Sequence, residues 1–282
     1  MSLKAISTVI VRVFDIRLPE TYISSKPLPF KLKTRHAEFS ITQNANQLEL
    51  RASANALHSV INLDSPAKLA LKNLQYLAGI LLFIPEPENI LLLGTGGGSL
   101  VHFLRFHYPN SHLSAVDIDA ELVKIMHQKM LLPKANSLLA YVIDDADHYL
   151  RNCTKRFDLI LVDIFAGTQS PGWLLELPSM SQFYTLLSDQ GAIAYNLLIE
   201  SEHSFQLFHR YLKQVFNHKY LLFPVGGFDN TVAYGLRYQT AQRDMPWYTQ
   251  QALTLGESHD IDYMAVLSAI YDANSTSKLG LI

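Results

Sequence analysis

The chain has 282 residues, of which 49% are hydrophobic and 17% charged, and its formal net charge at neutral pH is −2. This composition is typical of a compact folded protein, and the even spread of lysine and arginine gives no reason to expect a nucleic acid as partner. The most apolar run, 76–85, is shorter than the roughly 20 residues that a bilayer requires, so no membrane partner is expected. The single Cys153 and a start without a secretory cleavage pattern predict a cytoplasmic protein.

The first part of the chain has the pattern of β-strands. The β-branched segment 7–13 predicts one strand, and the alternating segments 38–42 and 47–51 predict a hairpin. A proline-rich stretch between the first strand and the hairpin is expected to loop. We therefore predict a small N-terminal β-domain over residues 1–63.

After Asp64 the pattern becomes that of alternating helices and buried strands. Apolar residues spaced by three and four from Ala67 to Leu81 predict a helix. From Asn89 onward, an alternating series predicts a mostly parallel sheet in a domain that spans 64–240. Its strands are expected at 90–93, 113–117, 139–143, 159–162 and 192–196, and its helices at 100–107, 120–130, 146–152 and 183–187.

The end of the chain carries two further signals. Segments 219–224 and 231–236 predict an antiparallel hairpin at the sheet edge, which nicotinamide-binding sheets usually lack. Residues 241–282 are expected to form a C-terminal extension with one amphipathic helix at 261–273 and a polar tail.

A glycine-rich loop follows the first strand of the parallel sheet. Gly94, Gly96 and Gly98 would let the backbone approach a polar ligand and point the amides of the next helix toward it. The string is an imperfect dinucleotide motif because Ser99 stands where Gly or Ala is expected. The alternative interpretation is a tight turn without a ligand.

Aspartates stand at the ends of the following strands. Asp117 is placed where a carboxylate can accept both hydroxyls of a ribose, while Asp119 is expected to cap the next helix. Asp163 ends the fourth strand. Because ligands of open parallel sheets bind beyond the carboxyl ends of the strands, these residues and the glycine loop should share one crevice.

The third strand ends in Asp144, Asp145 and Ala146, for which two interpretations stay open. One of the carboxylates can accept from an adenine amino group, with Ala146 leaving room for the ring, or it can simply cap the short helix that follows. The histidines lack metal-ligand spacing, so no metal is expected.

Read in chain order, segments 92–98, 116–119, 143–146 and 157–163 resemble the spermidine synthase family over roughly residues 35–235. The resemblance implies an α/β fold: a class I methyltransferase-like Rossmann domain with a mostly parallel seven-stranded sheet and a terminal antiparallel hairpin, behind a small β-domain. It also implies a homodimer, a small-molecule amine acceptor, and decarboxylated S-adenosylmethionine or S-adenosylmethionine as cofactor.

The resemblance also implies roles for individual residues. The glycine loop, with Gly97 inside it, and Asp117 would hold the cofactor, and Asp145 and Ala146 would hold its adenine. Asp163 would be the general base that deprotonates the attacking amine.

The glycine loop and the catalytic loop depart from the family pattern. Gly97 replaces an Asp that meets the cofactor's free amine, and the segment 163–167 lacks the second Asp of the family's catalytic loop. The site would thereby lack two of the carboxylates that bind a polyamine cation. The loss of the acid at Gly97 is expected to leave space for the carboxylate of intact S-adenosylmethionine.

Further departures concern the expected acceptor pocket. His58 and Asn196 appear where the family has Gln, and Tyr76 either matches a substrate-pocket Tyr or is a buried aromatic residue. Phe165 and Trp173 predict either an aromatic acceptor pocket or a packed lid.

Three functions follow from these observations. The first is a spermidine-synthase-like transferase, the second a methyltransferase, and the third a non-catalytic homologue that keeps a nucleoside site. A nicotinamide dehydrogenase is disfavoured by Ser99 and the terminal hairpin.

Overall fold

The structure, a computed structural model, describes residues 29–52, 57–129, 132–238 and 244–274. The strand predicted at 7–13 and most of the proline-rich stretch lie outside the described residues.

A four-stranded antiparallel sheet forms the first layer, with its strands in chain order. The predicted hairpin is confirmed, and its turn is tighter than expected because Asn44 pairs with Gln47. Only Ala45 and Asn46 remain in the turn, and Ala45 has a φ of 49°, as two-residue hairpins require. The strands are β1 (Phe30–Lys33), β2 (Glu38–Asn44), β3 (Gln47–Ala52) and β4 (Leu57–Asn62).

The second sheet has seven strands in the order β10-β11-β9-β8-β5-β6-β7. Five strands from β7 to β9 are parallel, and β11 runs antiparallel to both β9 and β10. This confirms the predicted mostly parallel sheet with a terminal antiparallel hairpin. The strands are β5 (Asn89–Leu93), β6 (His112–Asp117), β7 (Leu139–Ile143), β8 (Phe157–Val162), β9 (Leu187–Leu197), β10 (Tyr220–Pro224) and β11 (Thr231–Leu236).

Helices lie between the strands and after the last one. They are α1 (Lys72–Ala78), α2 (Ser99–His107), α3 (Ala120–Lys129), α4 (Ala146–Asn152), α5 (Leu177–Leu186), α6 (Glu202–Val215), α7 (Met245–His259) and α8 (Tyr263–Asn274), and short 3-10 helices cover Gly79–Leu82 and Gly172–Leu175. In the described part of the chain, no helix is long and apolar enough to span a bilayer.

The helix predictions need four corrections. The helix expected at 183–187 spans Leu177–Leu186, and Leu187 already belongs to β9. The helix expected from Ala67 begins only at Lys72. Helix α6 was not predicted, although Phe205, Phe208, Leu212 and Val215 recur at helical spacing and Phe208 and Leu212 are buried. The extension holds two helices instead of one. The additional helix is α7, which Asp244 caps by accepting from the Trp247 N–H at 3.1 Å.

The core lies on both faces of the parallel sheet, as the alternation of side chains along each strand requires. On β5, Leu92 joins the cluster shared with the N-terminal sheet and the C-terminal helices, while Leu91 and Leu93 join the opposite cluster. The small sheet therefore packs on the same face as α7 and α8. The domain limits at 63 and 240 stay predictions.

Candidate functional site

The crevice lies at the carboxyl edge of the parallel sheet, where ligands of such sheets bind. β5 delivers the glycine loop, β6 delivers Asp117, and β8 delivers Asp163 to this edge. Because β10 runs in the same direction as β9, the hairpin loop 225–230 reaches the same edge. The structure thus brings the predicted strand-end residues to one side of the sheet.

The glycine loop needs its glycines for different reasons. Gly94 has a φ of +91°, and a Cβ there would lie 2.1 Å from the carbonyl oxygen of Asp163. At Gly98, with a φ of +92°, a Cβ would lie 2.5 Å from Leu132 Cδ1. Gly96 differs, because at its φ of +49° a Cβ would meet nothing within 4 Å. The open side of the loop is therefore at Gly96, where a ligand could reach the backbone.

Gly97 faces the small sheet. A Cβ at Gly97 would lie 2.4 Å from Ser59 Cβ on β4. Ser59 Oγ lies 2.6 Å from Ser99 Oγ, and Ser99 Oγ donates to the Val60 carbonyl at 3.1 Å. Ser59 on β4 therefore fills the position that a Cβ at Gly97 would take, and the expected space for a cofactor carboxylate stays a prediction.

Asp117 organises the glycine loop through its carboxylate. Oδ2 accepts from the backbone N–H groups of Thr95 at 2.8 Å and Gly96 at 3.2 Å, and Oδ1 accepts from Asp119 N–H at 2.9 Å. Burial raises the pKa of Asp117, and these three hydrogen bonds oppose the increase. A carboxylate offers about four lone-pair sites, so Asp117 keeps capacity for a hydroxyl group.

Asp119 joins the loop after β6 to the small sheet. Its Oδ1 accepts from Glu121 and Leu122 N–H groups at 3.1 and 3.0 Å, which confirms the predicted helix cap. Its Oδ2 accepts from Thr34 Oγ1 at 2.5 Å, and only 4% of Asp119 is exposed. A buried bond thus ties the β1–β2 turn to the loop after β6.

The aspartates after β7 act as a helix cap and an ion-pair partner. Asp145 accepts from the His148 N–H at 3.1 Å and caps α4, which starts at Ala146. Asp144 lies 2.9 Å from His148 Nδ1. The capping interpretation therefore holds for Asp145, and the adenine role of Asp145 and Ala146 stays a prediction.

Asp163 begins a chain of polar side chains at the end of β8. Its Oδ1 accepts from Asn196 Nδ2 at 2.8 Å, and Asn196 Oδ1 accepts from Asn230 Nδ2 at 2.8 Å. Burial raises the pKa of Asp163 to about 6, and the bond from Asn196 opposes that shift. A carboxyl with this pKa is ionised at neutral pH and is basic enough to take a proton.

The residues expected in the acceptor pocket have mainly packing contacts. The ring of His58 meets Phe39 edge-on at 6.3 Å, and it is the neighbouring Ser59 that contacts the glycine loop. Asn196 has no exposed surface, so it holds Asp163 from within the protein and does not line an open pocket. Trp173 is half-buried and packs on the core beside α5 and α6, so its pocket and lid interpretations both stay predictions.

On the opposite side of the crevice, Tyr76 is buried, with its ring 6.2 Å from that of Phe223. Lys72 Nζ lies 5.4 Å from the Tyr76 ring and donates to the Gly226 carbonyl at 2.9 Å. Phe165, in the loop after β8, is half-buried.

Sequence reasoning missed three residues at this edge: Ser59, Asn230 and Lys72. Ser59 is separated from the loop by about 40 residues, and an Asn at the end of a hairpin loop normally indicates only a turn. Lys72 was not singled out, because it was expected to lie inside a helix that begins at Ala67. Among the described residues there is no group of three His, Cys, Asp or Glu side chains that could hold a metal ion.

Comparisons with known proteins agree with this architecture. Residues 75–242 match the spermine/spermidine synthase domain family. The polyamine aminopropyltransferase of Neisseria meningitidis serogroup B is 25% identical over 243 residues, which cover 86% of this chain and 92% of the relative. That of Chromobacterium violaceum is 27% identical over 214 residues, covering 74% of this chain and 82% of the relative.

Two solved structures share the fold. A probable spermidine synthase from Corynebacterium glutamicum superimposes with a TM-score of 0.70 at 19% identity, over 81% of this chain and 88% of that one. Human methyltransferase-like protein 13, solved in complex with SAH, gives a TM-score of 0.56 at 22% identity, over 67% and 89% of the two chains. These likenesses confirm the predicted methyltransferase-like fold.

Proposed function

Because this chain belongs to the spermine/spermidine synthase family, we propose that it transfers an aminopropyl or methyl group to an amine. The donor would be decarboxylated S-adenosylmethionine or S-adenosylmethionine. The observation that carries the proposal is Asp163, a half-buried carboxyl with a pKa of about 6 at the same sheet edge as the glycine loop. An amine acceptor needs such a group, since its protonated form has no lone pair.

The fit of a nucleoside cofactor is supported by the glycine loop itself. Gly96 leaves open space, and the hydroxyl of Thr95 is buried without a hydrogen-bond partner among the described residues. Gly94, Gly96 and Gly98 would bring the backbone close to the cofactor, Asp117 would accept from the ribose, and Asp145 with Ala146 would border the adenine. The bound cofactor would supply a carbon activated by its sulfonium.

The chain's own contribution to the reaction is to receive a proton. Asn196 occupies Oδ1 of Asp163, which would leave Oδ2 to accept the proton as the amine nitrogen bonds to the activated carbon and the bond from that carbon to sulfur breaks. The pKa of about 6 means that the carboxyl is mostly ionised at pH 7 before the reaction.

Methyl transfer is the second candidate. Ser59 occupies the space beside Gly97, where the family has an acid for the cofactor's amine. Without that acid the loop offers no charge that selects the decarboxylated cofactor, so the intact one remains an equal candidate.

Calorimetry with purified protein tests the proposal. We expect binding of S-adenosylmethionine, its decarboxylated form or methylthioadenosine, followed by release of methylthioadenosine or S-adenosylhomocysteine when a panel of amines is added. A clear preference for intact S-adenosylmethionine would reject aminopropyl transfer in favour of methyl transfer. Failure to bind any of the three ligands would overturn the proposal and leave the non-catalytic homologue.

Replacing Asp117 by Ala is expected to weaken nucleoside binding by at least tenfold. The variant removes the proposed ribose acceptor, and hydrogen bonds to a charged group contribute about 1.5 to 3 kcal/mol each. It also releases the Thr95 and Gly96 amides. Asp147→Asn is the matched control, because Asp147 pairs with Arg151 on the surface of α4. Equal affinities of Asp117→Ala and the unmodified protein would remove Asp117 from the site.

We further propose that the protein is a cytoplasmic homodimer with a small-molecule acceptor. Light scattering coupled to size-exclusion chromatography would measure the oligomeric state. A monomer at micromolar concentration would contradict the dimer.

A further inference from the structure

Two buried amides connect Asp163 to the hairpin loop 225–230. Asn196 Nδ2 donates to Asp163 Oδ1, and Asn230 Nδ2 donates to Asn196 Oδ1, both at 2.8 Å. Asn196 has 0% exposed surface and Asn230 has 8%. Because so little of either residue meets solvent, each amide is oriented mainly by its neighbour.

The direction of the two hydrogen bonds that link Asp163, Asn196 and Asn230 determines how the Asn196 amide is oriented. An ionised carboxylate can only accept, so Asn196 must turn its NH2 group toward Asp163. Its carbonyl oxygen then faces Asn230 and needs a donor there. If that donor were absent, Asn196 could turn over and present its oxygen to Asp163, an arrangement that only a protonated carboxyl satisfies.

The backbone holds Asn230 in place. Asn230 immediately precedes β11, in which Thr231 pairs with Leu197 and Val232 pairs with Asn196. The Asn230 carbonyl accepts from the Val225 N–H at 2.9 Å, which closes the loop. Lys72 Nζ adds a second tether to this loop through the Gly226 carbonyl. The amide of Asn230 is therefore presented to Asn196 from a fixed position.

Resting on the proposed function, we propose that Asn230 is a positioning residue for the base: it keeps the Asn196 amide turned toward Asp163 and so leaves Oδ2 to receive the acceptor's proton. Asn230 would touch neither substrate nor cofactor and would act through Asn196.

Charged and titratable groups on the surrounding elements could also influence Asp163. They are Asp117 after β6, Lys72 and Tyr76 on α1, Tyr195 on β9 and Asp229 in the hairpin loop. In the described part of the chain, burial and the Asn196 bond are nevertheless the two influences that shift the pKa of Asp163. A change at Asn230 should therefore reach Asp163 through the Asn196 amide.

The test is Asn230→Leu, which removes the donor at similar size. We expect the pKa of Asp163 to rise by roughly one unit, as measured by carbon-13 NMR titration of its carboxyl group. The acidic limb of the rate profile should move with it, so that kcat falls by about threefold at pH 6.5 and little at pH 8.5. The KM of the acceptor should change less than kcat. Asn230→Ser, which retains a donor, should restore part of the shift.

Controls separate positioning from general disturbance of the loop. Asp229→Asn alters the exposed neighbour in the same loop and should leave the titration of Asp163 unchanged. In an Asn196→Leu background, Asn230→Leu should add no further shift, because the connecting amide is gone. Thermal unfolding and affinity for methylthioadenosine verify that each variant is folded.

The proposal is overturned if Asn230→Leu leaves the pKa of Asp163 unchanged, or if its shift is the same with and without Asn196. The NMR titration needs no turnover. If every amine proves unreactive, the proposed function fails while the titration still decides whether the amide chain orients Asp163.

Discussion

Asp163→Asn is expected to slow amine alkylation by about 10²-fold or more, while nucleoside affinity stays nearly unchanged. The variant keeps the size of the side chain and can still accept from Asn196, but it cannot take a proton from the acceptor. Single-turnover measurements with saturating cofactor would isolate this step. A rate equal to that of the unmodified protein would remove Asp163 as the base.

The same variant should make the fold more stable at pH 7. The pKa of Asp163 is raised by burial to about 6 in the folded protein, so folding favours the protonated form. The stabilisation from this group is fully present below its unfolded pKa of about 4 and is lost as pH rises through 6. An amide at this position removes the buried charge, with an expected gain on the order of 2 kcal/mol at pH 7.

Urea unfolding at pH 4 and pH 7 would measure this gain. It should shrink at pH 4, where Asp163 is protonated in the folded state. Asp189→Asn serves as control, because Asp189 is 92% exposed and pairs with Arg237 away from the crevice. An equal stability of Asp163→Asn and the unmodified protein at both pH values would show that the ionised carboxyl of Asp163 does not destabilise the fold.

Gly97→Asp is expected to damage the protein, although it would reinstate the acid that the family carries in this loop. The new Cβ would lie 2.4 Å from Ser59 Cβ and 2.6 Å from Ser59 Oγ, so β4 must move away from the loop. Overpacking and burial of a carboxylate together should lower stability by roughly 2 to 4 kcal/mol. Binding of either cofactor should weaken, because the displaced loop carries the Thr95 and Gly96 amides.

Two further variants test whether the clash with Ser59 is the cause. Adding Ser59→Gly to Gly97→Asp should restore part of the lost stability, since it removes both atoms that the new side chain would strike. Gly96→Asn provides the control for stability only, because its Cβ meets nothing within 4 Å and Asn tolerates a φ of +49°. Tighter binding of decarboxylated S-adenosylmethionine by Gly97→Asp, at unchanged stability, would contradict this expectation.

The sequence predicts the parts of the site that depend on local patterns. Short apolar runs followed by Gly or Asp place residues at strand ends, and the rule for parallel sheets brings those ends together. Helix caps are equally local, so the role of Asp119 in capping α3 follows from the residues around it.

Contacts between distant segments could not be predicted in this way. The bonds from Ser59 to Ser99 and from Asn230 to Asn196 join residues 40 and 34 positions apart. Neither Ser nor Asn has a periodicity that marks its partner. Gly97 shows the consequence, because the sequence indicates a lost acid while the structure reveals a strand packed in its place.

Two helices, α6 and α7, were not predicted from the sequence. In α6 the buried side chains are Phe208 and Leu212, and in α7 they are Tyr248, Ala252, Leu255 and His259. The number of buried residues does not explain the omission, because α4 buries only Leu150 and was predicted. The spacing of Phe205, Phe208 and Leu212 would have indicated α6.

The bonds of Thr34 to Asp119 and of Ser59 to Ser99 affect how this protein can be divided. Both bonds tie loops of the parallel sheet to the four-stranded sheet that precedes it. The glycine loop is one continuous segment, but its packing depends on the N-terminal sheet, so it should not keep its structure when that sheet is removed. A fragment that starts at residue 64 would carry all of the proposed cofactor ligands and still expose Gly97 and Ser99. Swapping the N-terminal sheet between relatives should succeed only when Gly97, Ser99 and Asp119 are exchanged together with it.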